Sequence, residues 1–564
     1  MGTPPAPSSS STTPSSSTST SASSAAPDAF SVAALKAALT AYRNPILPGW
    51  NPDPTVCNVP GKGYFLATGS GEYSPGLPVY HSIDLFTWEL LGHAIKRVPA
   101  PLGAPTLRYH AGHHYMVVTA AAAADSTHPQ ILLVSTPDIF DEARWGEPVV
   151  IEASGTEPDL LFDDDMAYLS YTSPSSTERL IVSIDIDTGR NLSQPKVLEH
   201  QGRLLKRAGW YYMLTSSDDG ASASVYRSRE LGMEADDGEP QWEGAPRNPI
   251  LANGDHADVR GTVRLDIVRG ERGWSAIFRA MRSRSARGSR AGSAAGASTP
   301  SSSSSASAGS RPTPTGADAD AWSDSHLGAE TYMAPVEWRD GWPVINGGEH
   351  IELVGNAEGM RLLPERDEWV DEFDREDLSI GWYTARKPSY TLGQRGLALV
   401  PAPLARDSAT PPPMLLQRQL GFDMDWETRV AIPTTPIEAG TVLCAGPSWA
   451  GVAVRGGSAP TIVFRSATTS SSPEPTTTAP LVLDTAGLQV SVVLRIRARR
   501  DAYEFVYVTA GTGDEVVLGS VPSAAFAVAG SGAHLGVYAV RTEGEESGAE
   551  EACFAYTKWV RVEV

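Results

Sequence analysis

The chain reads as all-β, in two regions. Two observations carry that reading. Between Asn44 and Asn346, short runs rich in β-branched and aromatic residues recur with turn residues between them, for example Tyr64–Thr68, Tyr115–Thr119, Gln130–Ser135, Ala167–Thr172, Leu180–Ile186 and Trp210–Thr215. That spacing suits hairpins rather than alternating β and α units, and repeated four-stranded sheets around an axis would satisfy it. Beyond Phe373, apolar and polar residues alternate in runs such as Val490–Arg497, the pattern of a strand with one wet face.

Ahead of the first region, residues 1–27 are almost entirely Ser, Thr, Pro and Ala. Such a segment cannot bury enough apolar surface to offset its ordering entropy, and a disordered tail is expected. It lacks the basic start and apolar run of a standard secretory leader, and no stretch is apolar and long enough to span a bilayer as a helix. A cytoplasmic location is therefore expected, or secretion if the gene start lies elsewhere. In the second case Asn191-Leu192-Ser193 would be a glycosylation acceptor.

With 564 residues, 41% of them hydrophobic, the chain can build two or three domains. Its net charge of −21 argues against nucleic acid, whose binders present a basic face. Cys57, Cys444 and Cys553 are too scattered for a zinc motif and too few for a disulfide framework, so they read as reduced thiols.

Taken in order, the first domain is expected over 44–346. A low-complexity insertion at 282–320, rich in Ser, Ala, Gly and Arg, reads as a disordered surface loop, and long loops add little closure entropy. A polar connection follows from about 347 to 372. The second domain is expected over 373–564, with the Ser/Thr/Pro tract Ser466–Pro480 looping from it.

The first domain opens on Asn44-Pro45-Ile46-Leu47-Pro48-Gly49-Trp50-Asn51-Pro52-Asp53-Pro54-Thr55. Asp53 stands between two prolines. Each fixes its own φ, and the second pushes Asp53 out of the helical region, so an extended, stiff segment is expected. A stiff carboxylate in a turn-rich stretch suits a group that must be aimed, although the same residues also make ordinary surface turns.

The blocks Gly63–Ser70, Ser74–Ser82 and Asp84–Glu89 follow in order. Together with the Asp53 stretch they resemble glycoside hydrolase family 43, the β-xylosidases and α-L-arabinofuranosidases. The resemblance runs from about Asn44 to the C-terminus. It implies a five-bladed β-propeller followed by a concanavalin-like β-sandwich. It also implies an inverting glycosidase acting on xylosides or arabinofuranosides of hemicellulose, with a carbohydrate substrate and no cofactor.

Inverting hydrolysis needs one carboxylate to activate water and one carboxylic acid to protonate the leaving oxygen, roughly 6.5–9.5 Å apart. The acid needs a raised pKa. By resemblance Asp53 is the base. The family's tuning carboxylate falls on Glu157 in Gly155-Thr156-Glu157-Pro158-Asp159-Leu160, where the family has the shorter Asp. The neighbouring Asp163–Asp165 reads as a solvated turn. The acid position falls on His200, with Glu199 one residue away; in a strand that slip turns the side chain to the other face. Glu199 is taken as the acid on condition of a local backbone shift, and His200 is a poorer match by its ordinary pKa.

Two further positions depart from the family. Gly103 stands where it has a sugar-stacking Trp, and Ala329 stands where it has an Arg. His256, in His256-Ala257-Asp258, matches a family residue near the propeller axis and is assigned to substrate binding. No metal ligand is assigned. The altered positions keep a second reading open: a catalytically impaired member serving as a carbohydrate-binding or regulatory propeller.

Overall fold

In the computed structural model, residues 55–345 form five antiparallel sheets arranged as the five blades of a propeller. The structure describes residues 2 and 41–562, apart from 99, 123–127, 234–239, 255–257, 272, 285–324, 357–365, 405–409, 469–475, 478–479, 484–489, 510–511 and 542–549. Apart from residue 2, the expected disordered tail at 1–27, and most of the insertion expected at 282–320, lie outside the described residues.

The innermost strands of blades 1 to 5 are Thr55–Val59, Thr106–His110, Thr156–Asp163, Arg203–Arg207 and Val259–Gly270. Each blade steps outward from these through antiparallel hairpins. Several hairpins turn on two residues, Ala111-Gly112, Ala208-Gly209 and Asp340-Gly341, all with positive φ. Such turns match the right-handed strand twist.

Successive side chains leave a strand on opposite faces. In a propeller each face meets a different neighbour, so both must be apolar. Phe65 packs toward blade 2 whereas Leu66 packs toward blade 5. On blade 2, Met116 and Val118 face blade 1 whereas Val117 faces blade 3. Five apolar clusters result, one between each pair of neighbouring blades. This is why the blade strands read as near-continuous apolar runs.

The chain start closes the ring. Ala41–Arg43 pairs with Val354–Asn356. Asn44 exchanges hydrogen bonds with the Met333 backbone, receiving one from its N–H at 3.0 Å and donating to its carbonyl at 2.9 Å. Leu47 bridges Thr331. The segment from Asn44 to Thr55 is thus strapped against the last blade before it enters the first.

The second domain is a sandwich of two eight-stranded sheets. The outward–inward pattern read at Val490–Arg497 is observed over Ser491–Ala498, where Val492, Leu494, Ile496 and Ala498 are buried and the intervening residues are partly exposed. The inward set packs with Trp426, Phe464, Phe505 and Val537. One sheet also takes in Glu368–Asp371, paired to Ala552–Arg561, so sandwich structure begins within the expected connection. Of the Ser466–Pro480 tract, Ser466 and Ala467 complete a strand and Thr476–Thr477 pairs back onto it, so these residues are sheet rather than loop. The outer face of the sandwich carries Tyr383, Leu416 and Trp449, against which Trp50 and Tyr73 of the propeller pack.

Among the described residues no helix is long and apolar enough to cross a membrane. The three cysteines are free. Burial pushes the Cys57 and Cys444 thiols up to about 12, which leaves them poor nucleophiles.

Candidate active site

Asp53 occupies the turn by which the strap enters blade 1. Its φ of +50° lies in the left-handed region rather than the extended one expected, a strained choice for a residue with a Cβ, and such strain persists only where surroundings over-determine it. They do so here. Asn51 donates its backbone N–H to Ala329 and accepts at its carbonyl from the Thr331 hydroxyl. The Pro52 carbonyl accepts from Gly69 N–H at 2.8 Å, and the Pro54 carbonyl accepts from Arg203 Nη1 at 2.6 Å. Thr55 Oγ1 donates to Asp266 Oδ2 at 3.1 Å.

The Asn51 side chain is fixed as firmly. Its Oδ1 accepts from Tyr80 Oη at 2.8 Å and from Arg418 Nη1 at 2.6 Å. Arg418 belongs to the sandwich, so a side chain of the second domain grips the residue two places before Asp53.

The Asp53 carboxylate is 19% exposed, with Arg279 Nη1 at 3.2 Å and Arg264 Nε at 3.6 Å. Burial alone would raise its pKa, but Arg279, Arg264 and Arg203 outweigh burial and hold the group below the ordinary carboxylate range. Glu157 also has a positive φ, +53°, at a register shift in the inner strand of blade 3. Its side chain is 42% exposed and accepts from Arg264 Nη2. Burial opposes its ionisation too, and Arg264 and Arg179 again prevail, lowering the pKa. The Arg264 guanidinium therefore lies between the two carboxylates.

Arg264 reaches that position because the inner strand of blade 5 is irregular. It lies within the second of two successive register shifts, between Val263 and Asp266, and its own φ is +58°. Bulges of this kind re-aim side chains at the rims of barrels and sites. Arg279 comes from the second strand of the same blade, Gly273–Arg282.

Below these groups, two arginines and two carboxylates plug the axis. Arg108 donates to Asp159 Oδ1 at 3.0 Å and to Asp266 Oδ2 at 3.1 Å, while Arg203 stands 3.7 Å from Asp266. Arg179, buried in blade 3, donates among the described residues to neutral acceptors: the carbonyls of Glu157 and Gly202 and the Ser170 hydroxyl. Burial without a bonded carboxylate lowers its pKa to about 10.

Two cavities open above the plug. The larger, about 680 Å³, is lined by Glu157, Arg179, Glu199, His200, Arg264 and Arg279 among others. The smaller, about 290 Å³, is lined by Asp53, Gly103, Ala329, Arg279 and the sandwich loop Ala527–Ser531. Arg279 borders both. Gly103 and Ala329, read as departures, do face this space, and Arg279 supplies the guanidinium among the residues lining the smaller cavity.

The expected acid position is less well held. Glu199 and His200 both line the larger cavity, but the Glu199 side chain is 61% exposed and lies 3.7 Å from His200 Nε2. His200, 21% exposed, stacks on Tyr226. Burial lowers its pKa and Glu199 only partly opposes this. His256 lies outside the described residues. Asp163, read as part of a solvated turn, instead ends a strand and is bound by Lys206 and Tyr211.

Sequence reasoning missed Arg179, Arg203, Arg264 and Arg279. One signal was available: an inner propeller strand is apolar by construction, yet Val259–Gly270 carries three arginines.

Residues 42–301 match the family described as glycosyl hydrolases family 43, and residues 370–560 match the β-xylosidase C-terminal concanavalin A-like domain. The chain belongs to glycosyl hydrolase family 43. It is 27% identical over 390 residues to the non-reducing end α-L-arabinofuranosidase BoGH43B of Bacteroides ovatus, covering 64% of each chain. It is 28% identical over 386 residues to a putative β-xylosidase of Escherichia coli K12, covering 61% of this chain and 65% of that one. It thus spans just under two thirds of the length of these curated relatives. Among solved structures, the Bacteroides ovatus xyloglucan-locus family 43 protein superposes with a TM-score of 0.73 at 23% identity, over 93% of this chain and 100% of that one. The xylan β-1,4-xylosidase from Bacillus halodurans gives 0.72 at 20% identity, over 92% and 100%. These likenesses extend the family 43 architecture through both domains.

Proposed function

We propose that this family 43 chain hydrolyses xylosides or arabinofuranosides of hemicellulose by inversion, with Asp53 as the base that activates water. The observation that carries the proposal is the state of Asp53: a carboxylate held rigid on a strained turn, ionised by neighbouring guanidiniums, at a cavity wall. Water activation needs an ionised carboxylate, and fixed geometry at such a group is worth orders of magnitude in rate. Glu157 is read as the tuning carboxylate and Glu199 as the acid. A purified-protein assay on 4-nitrophenyl β-D-xyloside and α-L-arabinofuranoside, with Asp53→Asn as control, tests the reading. Turnover unchanged by that substitution would refute the assignment of Asp53.

A second reading, a sugar-binding propeller with little turnover, is favoured by the exposure of Glu199 and the lowered pKa of His200. A carboxylate that lies mostly in water beside a stacked imidazole is not the buried acid that protonates a leaving group. Sugar binding with no hydrolysis of either aryl glycoside would select it.

A further inference from the structure

Above the Arg108–Asp159–Asp266 plug, three guanidiniums, those of Arg179, Arg264 and Arg279, meet two carboxylates, Asp53 and Glu157. Arg264 serves both carboxylates and Arg279 serves Asp53, whereas the Arg179 bonds go to uncharged oxygens. Among the described residues, the Nε atoms of Arg179 and Arg279 are buried without an acceptor. Unanswered donors on a buried cation are costly. The carboxylate at the rim, Glu199, is mostly in water and screened from them.

We infer that the larger cavity accepts a sugar bearing a carboxylate, a uronic acid, whose acid group is bound by the Arg179–Arg264–Arg279 cluster. Guanidinium and carboxylate match in planar, two-pronged geometry. The cavity, about 680 Å³, has room for a sugar ring. An inorganic anion shares the charge but not the ring. This inference rests on the carbohydrate reading above and narrows its substrate class.

The test is calorimetric titration of the full chain with D-glucuronate, D-glucose and inorganic phosphate, beside hydrolysis of 4-nitrophenyl β-D-glucuronide, β-D-glucoside, β-D-xyloside and α-L-arabinofuranoside. The expected result is glucuronate binding at least about tenfold tighter than glucose, the scale of one charge-assisted hydrogen bond. That preference should weaken with added salt, and it should fall in both Arg279→Gln and Arg264→Gln. Equal affinity for glucose and glucuronate overturns the inference, as does no binding of either. Phosphate competing as well as glucuronate would also overturn it, in favour of a simple anion site. If glucuronate is preferred but no glycoside is cleaved, the hydrolase reading fails and the uronate site stands. If the xyloside is cleaved and glucuronate is not preferred, the reverse holds.

Discussion

His200 lies flat on Tyr226, the ring centroids 3.6 Å apart and the planes 19° from parallel. The stack fixes the imidazole at the cavity wall while burial lowers its pKa. A neutral imidazole is a far weaker acid than an imidazolium or a carboxylic acid, and gives its proton poorly to a leaving oxygen. Glu199, beside it, has its side chain mostly in water and is not held against a leaving oxygen. Hydrolysis should therefore depend steeply on the leaving group, with 4-nitrophenyl xyloside cleaved far faster than xylobiose; a positioned acid is typically worth about 10²–10⁴-fold. Rates across a series of aryl xylosides of graded leaving-group pKa measure this. A flat series whose rates collapse on Glu199→Gln would establish Glu199 as a working acid.

Asp53 gives a prediction about acid tolerance. Its folded pKa is depressed, so the ionised, active form persists as pH falls through the ordinary aspartate value of about 3.9. The acid limb of kcat/KM should lie below that value. The same shift contributes stability that is present above the unfolded pKa and lost as pH falls through the folded one. Asp53→Asn should remove the limb and lower kcat by about 10²–10⁴-fold, with circular dichroism unchanged.

Two buried histidines predict a loss of stability in the same direction, over a higher pH window. His326 packs against Phe422 and Tyr503 of the sandwich, and His534 of the sandwich stacks on Tyr73 of the propeller. Burial lowers both to about 3. A depressed histidine pKa means that the unfolded chain binds the proton first. The stability at stake is present above about pH 6.5 and is lost as pH falls toward 3, at about 1.4 kcal/mol per pH unit per histidine. The melting temperature should fall across this window, and His534→Gln should flatten the fall.

Glu330 is fully buried. It accepts from Arg282 through both carboxylate oxygens at 2.7 Å and from Gly49 N–H at 2.7 Å. Replacing it by Ala strands the Arg282 charge, which typically costs about 3–5 kcal/mol. A large drop in melting temperature is expected. Replacing Glu330 and Arg282 together by Gln and Met should restore much of it. A small effect of Glu330→Ala alone would count against the geometry.

Arg418 tests the hold of the sandwich on the site. Arg418→Met removes the 2.6 Å bond to Asn51 and frees the turn that aims Asp53. Misplacement of a reacting group can cost about 10²-fold. The loss should appear in kcat rather than KM, because Arg418 does not line either cavity. A pure KM effect would mean that the residue acts on binding instead.

The fold was legible because propeller strands are apolar on both faces and sandwich strands on one, and both patterns survive in runs such as Tyr115–Thr119 and Ser491–Ala498. Asp53 was legible because proline on either side announces a fixed backbone. The arginines were not, since Arg264 enters the site only through bulges that shift its register, and alternation assigns no face to a residue in an irregular stretch. The surroundings of Glu199 and His200 were hidden for another reason: the stack on Tyr226 joins residues of a loop and a distant strand, a proximity that only the folded ring creates.

The strap from Asn44 to Thr55 is made early on the ribosome, yet its partners are made late. Met333 and Thr331 come from the last blade, and Arg418 from the sandwich. Ser531, which meets the Tyr73 hydroxyl beside Trp50, comes near the end of the chain. The turn that bears Asp53 is therefore completed by residues that leave the ribosome hundreds of positions after it. Synthesis runs in one direction and assembly of the site runs in the other, so a nascent chain stopped before the sandwich carries the Asp53 segment without the Arg418 grip on Asn51.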